Sequence, residues 1–264
     1  MIVNFAKMHG LGNDFVVIDT ITQGVKLNKG QLAKIADRKL GVGCDQVILL
    51  TPPNRPDADF YYKIYNADGA EAEQCVNGLR CAARYFTEIG LTNKHNLIAD
   101  CLAGRVQLAV QNNQVTATWT STFPEITTHK INYANLPEKI HAVSVGNPHA
   151  VLVMDNIDNH LVKVCGRKLS CDHIFPNEAN IGFMQILERN KIKLRVFERG
   201  SGLTLACGSG AIAAVLVGNF LNLLDNKVTV AFKHGQLTVE LDSANNTITM
   251  LGPASSVYIG RFKV

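Results

Sequence analysis

The sequence holds no Cys-x-x-Cys pair and no cysteine and histidine cluster at zinc spacing, so no structural metal is expected. Its seven cysteines, at 44, 75, 81, 101, 165, 171 and 207, are odd in number and follow no disulfide framework, which points to free thiols in a reducing compartment. No segment approaches the roughly 18 apolar residues of a membrane span. Met1–His9 carries no basic leader ahead of a long apolar run, and the expectation is a cytoplasmic protein. Lysine and arginine are scattered and the net charge is only +4, so there is no stripe to track a phosphate backbone, and nucleic acid is not an expected partner. No lysine sits in a recognisable pyridoxal phosphate loop, and no cofactor is expected.

What the chain does have is a core. With 264 residues, 47% of them hydrophobic and 18% charged, it can bury one large domain or two ordinary ones without staples. Residues 1 to 20 read as two strands about the Gly10-Leu11-Gly12-Asn13 turn. Asn28 to Lys39 reads as a weak amphipathic helix with an asparagine cap, and Val47–Leu50 and Asp59–Tyr65 as strands. A helix over the Cys75–Phe86 region stops near Gly90, and strands follow at 97–101, 105–110 and 115–120. Periodicity fades from Ser121 to Lys139, punctuated by Pro124 and Pro137, which sets a domain boundary at 125/126. Beyond it come strands at 141–145 and 150–154, a helical segment near 161–169, a hairpin of 181–187 with 191–197, an apolar helix over Ala211–Leu224, and three closing strands.

Two stretches stand out. Glu198-Arg199-Gly200 leads through a turn to Ala206-Cys207-Gly208-Ser209-Gly210, delivering a cysteine onto the first residues of a helix. Cys75-Val76-Asn77-Gly78 does the same in the first half. Unpaired N–H groups and the helix dipole at such a position favour thiolate over thiol. Gly12-Asn13 aligns with Gly146-Asn147 at an offset of 147 − 13 = 134, and Cys75 with Cys207 at 207 − 75 = 132. Each half runs through a short helix, two strands, the cysteine helix and three strands, so the chain reads as a duplicated unit. Two such halves about a pseudo-two-fold axis would set both cysteines at one cleft. The plain alternative is that both are small buried hydrophobes, as most free cysteines are.

Paired thiols at opposing helix N-termini suit removal of a proton from one face of a carbon and its return from the other. The N–H groups at Val76-Asn77 and Gly208-Ser209 would stabilise negative charge developing beside a carboxylate. Asn13, Gln46, Asn66, Asn147, Asn180, Glu198 and Arg199 are each ordinary turn or cap residues alone. Together they suit a zwitterionic amino acid, with Arg199 pairing its carboxylate and Glu198 its ammonium. His149, after Gly-Asn-Pro, either assists a thiol or makes a structural hydrogen bond.

Gly10-Leu11-Gly12-Asn13-Asp14-Phe15, Cys75-Val76-Asn77-Gly78-Leu79-Arg80-Cys81-Ala82-Ala83-Arg84, Gly146-Asn147-Pro148-His149 and Glu198-Arg199-Gly200 through Gly210 resemble the signatures of the diaminopimelate epimerase family, in order along essentially the whole chain. The resemblance implies an α/β (α+β) fold of two pseudo-symmetric domains, 1–125 and 126–264, each a mostly antiparallel sheet wrapped around a central helix. The last few residues would pack back on the first half. It also implies a cofactor-independent isomerase that interconverts LL- and meso-2,6-diaminopimelate for lysine and peptidoglycan precursors, as a homodimer. Cys75 and Cys207 match the two catalytic bases, with His149 and Glu198 in support. Asn13, Gln46, Asn66, Val76, Asn77, Asn147, Asn180, Glu198, Arg199, Gly208 and Ser209 match substrate contacts. Two positions depart from the family pattern: Val76 stands where glycine is usual and could not comfortably adopt a positive φ, and Leu203 stands where glutamate is usual. A proline racemase-like enzyme of the same fold, and a thiol redox or binding protein, are the rival readings.

Overall fold

The structure, a computed structural model, describes residues 1–157 and 159–264. It divides into two units, Met1–Trp119 with Leu251–Val264, and Thr120–Met250. The first contains β1 (Ile2–Gly10), β2 (Asn13–Asp19), the short α1 (Thr20–Gln23), α2 (Lys29–Ala36), β3 (Gln46–Thr51), β4 (Phe60–Asn66), β5 (Glu71–Ala72), α3 (Val76–Glu88), β6 (Asn96–Cys101), β7 (Gly104–Gln111) and β8 (Gln114–Thr120). β1/β2, β3/β4, β4/β5, β6/β7 and β7/β8 are antiparallel, while β2/β3 and β4/β6 are parallel.

The second unit repeats this series. β9 (Thr127–Lys130) is followed by β10 (Lys139–Ser144), β11 (Pro148–Val153), α4 (Asn159–Ser170), β12 (Asn180–Glu188), β13 (Lys191–Glu198), β14 (Gly202–Leu203), α5 (Gly208–Phe220), β15 (Lys227–Phe232), β16 (Gly235–Asp242) and β17 (Thr247–Pro253). The pairings recur with the same senses: β10/β11 antiparallel, β11/β12 parallel, β12/β13 and β13/β14 antiparallel, β13/β15 parallel and β15/β16 antiparallel. β17 then carries the chain back to the first unit, where β18 (Ser255–Lys263) lies antiparallel on β1; β9 takes the corresponding place on β10. The α/β fold of two repeated domains is therefore present, with the duplication visible strand by strand.

Each unit is built around its cysteine helix. α5 is apolar on every side from Gly210 to Gly218 and is buried along that length, packing on β10, β11, β12, β13 and β16. α3 is more amphipathic but buried from Val76 to Ala83, and it packs on β1, β2, β3, β4, β7 and β18. α2 is fixed by a capping box, in which Asn28 accepts from the Gln31 N–H and Gln31 accepts from the Asn28 N–H.

Several boundaries differ from the sequence expectation. α2 ends at Ala36 with Asp37 as its cap, not at Lys39. α5 begins at Gly208 and ends at Phe220, because Leu221 leaves the helical region and Asn222 takes a φ of 57°. β9 and β18 were not expected. β18 buries little of its own surface, so it lacks the apolar alternation by which a half-buried strand is read.

Candidate active site

In the first unit, Asn13 opens β2 at the end of a turn whose Leu11 and Gly12 have φ of 56° and 93°. Its Nδ2 donates to Asp45 Oδ2 at 2.9 Å, which leaves Oδ1 to face Cys75 Sγ at 3.6 Å and Asn77 Nδ2 at 3.3 Å. Asp45 is itself held by Arg38, 2.7 Å away, and Arg38 also grips Asp14. Burial works to raise the Asp14 carboxyl, yet Arg38 and Lys7 together hold it well below the usual carboxylate range. Asn77 is fixed from its other end by Arg80, whose Nη2 donates to Asn77 Oδ1 at 2.7 Å. Arg80 is fully buried, and its Nε reaches the carbonyl of Pro253 at 3.4 Å. Gln46 opens β3 and donates to Asn66 Oδ1 at 2.9 Å at the end of β4.

Cys75 is the N-cap residue of α3, with φ −143° and ψ 112°, and its side chain caps no backbone N–H. The first N–H groups of that helix, at Val76 and Asn77, precede any possible intrahelical partner. The expectation of strain at Val76 is not met: it is the first helical residue, and neither it nor its counterpart Gly208 has a positive φ. Valine therefore offers the same N–H without conformational cost.

The second unit reproduces this arrangement. Gly146, with φ 94°, precedes Asn147, and Cys207 is the N-cap of α5 with φ −132° and ψ 115°. The close match to Cys75 extends to glycines one turn on, at the same offset (210 − 78 = 132 and 207 − 75 = 132). A Cβ on Gly78 would lie 2.4 Å from the Tyr62 hydroxyl, and one on Gly210 would lie 2.9 Å from Val196 and 3.2 Å from Cys207 Sγ. Both helix starts thus approach the sheet too closely for a side chain.

The polar groups around Cys207 are denser. Its Sγ accepts from Gly210 N–H at 3.3 Å and lies 3.4 Å from Ser209 Oγ. Ser209 Oγ is in turn 3.0 Å from His149 Nε2, with Asn147 Oδ1 and Asn180 Nδ2 at 3.1 and 3.3 Å from that same nitrogen. Pro148 and His149 open β11 and Asn180 opens β12, and the parallel register pairs His149 with Asn180. Asn180 Oδ1 accepts the Arg199 N–H at 2.9 Å, and the Arg199 side chain donates to the Asn177 carbonyl at 2.8 Å. Glu198, at the end of β13, accepts from the Thr204 hydroxyl at 2.5 Å.

Burial decides the protonation states here. His149 is pushed down to about 3 by loss of solvent, so its imidazole is neutral at physiological pH. Cys207 is pushed well above the ordinary thiol value, first by burial and then by the Glu198 carboxylate, against the opposing pull of Ser209 and the Gly210 N–H. The helix start therefore does not make Cys207 a resting thiolate, contrary to the expectation from position alone: the desolvation of a fully buried sulfur outweighs the dipole.

The sequence-identified residues thus gather into two sets, one per unit: Asn13 with Cys75 and Asn77, and Asn147, His149 and Asn180 with Ser209 and Cys207. Gln46 and Asn66 bond each other at the same strand ends. Four positioning residues were not singled out: Asp45, Arg80, Tyr62, whose hydroxyl donates to the Cys75 carbonyl at 3.3 Å, and Thr204. Arg80 alone carried a signal, as a charge set among the apolar Leu79, Cys81, Ala82 and Ala83.

Among known proteins, the family model described as diaminopimelate epimerase matches residues 5–122 and 141–257. A diaminopimelate epimerase of Teredinibacter turnerae is 44% identical, with the whole of both chains covered. Two solved structures share the fold. One is a phenazine biosynthesis protein of the PhzF family from Bacillus anthracis (TM-score 0.73, 17% identity, all of both chains). The other is a hydroxyproline epimerase from Agrobacterium vitis (TM-score 0.70, 14% identity, 98% of this chain and 92% of that one).

Proposed function

The chain belongs to the diaminopimelate epimerase family, and we propose that it interconverts LL- and meso-2,6-diaminopimelate by a two-base mechanism with Cys75 and Cys207 as the bases. It is an isomerase. The observation that carries the assignment of bases is the matched pair of N-cap cysteines, each at the same backbone conformation and each backed by a glycine one turn on. At 14% identity, the likeness to a hydroxyproline epimerase speaks for the shared fold and not for a proline-like substrate.

In the direction that starts with Cys207 as the thiol, Cys75 takes the base role. The Cα proton passes to Cys75 Sγ and the electron pair it leaves spreads into the adjoining carboxylate. Cys207 S–H delivers its proton to the opposite face, so the product leaves Cys75 as thiol and Cys207 as thiolate. The first N–H groups of α3 and α5, at Val76, Asn77, Gly208 and Ser209, stabilise the carboxylate as it gains charge. Neutral His149 acts through Ser209, orienting the hydroxyl that lies against Cys207. Glu198 and Arg199 meet the ammonium and carboxylate of the amino acid, with Asn13, Gln46, Asn66, Asn147 and Asn180 completing recognition.

A cytoplasmic location fits a product that serves lysine and peptidoglycan precursor synthesis. No helix among the described residues is long and apolar enough to cross a membrane. A homodimer through β18 is part of the same reading: Val257, Tyr258 and Ile259 are exposed on that strand, Ile259 at 84%, with Ile2 exposed on the neighbouring β1. Ile259→Lys is expected to convert the dimer to a monomer in light scattering. The activity is tested in deuterated water with LL-diaminopimelate and, separately, L-proline. Label is expected at Cα of diaminopimelate; label in proline alone would reject the substrate assignment.

A further inference from the structure

The second unit holds a cavity of about 480 Å³ whose lining includes none of Cys207, Ser209 and His149; it is bounded by the start of α4, the outer face of β13, residues 203–205 and the turn between β15 and β16. Its lining includes His160, Lys163, Arg195 and Lys233, and no described acidic residue. We propose that this cavity is a binding site for a small, multiply charged oxyanion, a phosphate- or polycarboxylate-bearing metabolite, distinct from the amino-acid substrate.

Three positively charged side chains line this one cavity. Among the described residues, Lys163, Arg195 and Lys233 have no carboxylate partner, whereas Arg189 and Lys227 of the same unit are both ion-paired. An anion bound among them would meet positive charge without having to displace a described carboxylate.

Arg195 is the most specific feature. Strand alternation turns Ile192, Leu194 and Val196 into the core and places Arg195 on the other face with Phe197, beneath α4. α4 approaches closely there, since a Cβ on Gly166 would stand 2.6 Å from Phe197. The guanidinium is therefore held under the helix. Its Nη1 donates to the Leu194 carbonyl at 2.9 Å, but its buried Nε has no hydrogen-bond partner among the described residues. A buried N–H without a partner is costly, and burial already pulls this arginine below its ordinary value. The planar fork suits a phosphate or carboxylate, which would satisfy Nε directly. The volume suits a metabolite rather than a peptide, and Leu203 and Leu205 leave an apolar wall for its carbon skeleton.

The test is calorimetric titration of the full-length protein with inorganic pyrophosphate and with citrate. Saturable binding is expected, weakening as sodium chloride is raised. Lys163→Gln/Lys233→Gln, at two exposed positions, is expected to lose roughly tenfold or more in affinity. Lys26→Gln, an exposed charge of the first unit, is expected to change it little. Tighter binding of pyrophosphate assigns the site to phosphate compounds, and tighter binding of citrate assigns it to polycarboxylates. The proposal is overturned if neither anion binds, if the double variant binds like the unaltered protein, or if Lys26→Gln weakens binding as much. Arg195→Gln adds a third arm if it folds, and the two lysines decide the matter without it.

Discussion

Asp45 decides which end of Asn13 faces the thiol. By taking the Nδ2 hydrogen at 2.9 Å, it turns the Asn13 carbonyl oxygen toward Cys75 Sγ, 3.6 Å away, and Arg38 holds Asp45 in place at 2.7 Å. Asp45→Ala should free the amide to rotate and lower kcat/KM by roughly tenfold to a hundredfold, the scale of a misplaced group near reacting atoms. The loss should fall mainly on kcat, with a modest drop in the unfolding midpoint, because the Asp45 side chain, 43% exposed, also accepts from the Asp14 N–H and Arg38. Steady-state kinetics beside a denaturant titration checks both.

The two bases should fail differently from one another in isotope exchange. Cys207→Ala removes the donor to the second face, so inversion should fall by at least roughly a hundredfold to ten-thousandfold. Washout of deuterium from Cα should persist at a reduced rate for whichever of LL- and meso-diaminopimelate turns its proton to Cys75, and be lost together with inversion for the other. Loss of washout from both isomers would mean that Cys75 is not a base. Full turnover by Cys207→Ala would end the two-base mechanism.

His149 links stability to acid. Its folded-state value of about 3 lies below the ordinary 6.5, so well above pH 6.5 it is neutral folded or unfolded and contributes no pH dependence. Below 6.5 the unfolded chain takes up a proton that the buried ring refuses, and stability falls as pH drops toward 3. Between pH 6.5 and 5 this amounts to on the order of 2 kcal/mol for one group. His149→Asn should remove that part of the decline in urea titrations at the two pH values. The same burial predicts no inflection near pH 6.5 in kcat from this residue.

The paired glycines separate packing from chemistry. Gly78→Ala drives a methyl group to 2.4 Å from the Tyr62 hydroxyl in a packed region and should cost about 1–3 kcal/mol of stability. Gly210→Ala presses on Cys207 Sγ at 3.2 Å and on the buried, rotamer-stiff Val196 at 2.9 Å, so it should lower kcat as well as stability. Thermal melts and initial rates on both variants distinguish the two outcomes.

The duplication was legible because repeated turn glycines and capping cysteines sit at near-constant offsets, and helices and strands with an apolar face followed from periodicity. β18 was not, because a strand whose residues mostly face solvent leaves no alternation to read. Within the site, side chains of unusual type in unusual places could be singled out, but their holders could not. Asp45 and Thr204 are ordinary loop residues until the fold sets them against Asn13 and Glu198. The protonation of Cys207 is not legible for a related reason: a helix start is visible in sequence, whereas the burial that opposes its pull is not.

β18 beside β1 brings the two chain ends together, with the Met1 amino group donating to the Val264 carbonyl at 3.1 Å. A short peptide joining them, with new ends cut in the 121–126 segment, would give a circular permutant that runs from the second unit through β18 directly into β1. In that order residues 251–264 and 1–119 become one uninterrupted stretch. The unit that is now assembled from both ends of the polypeptide would then be made in a single pass of synthesis.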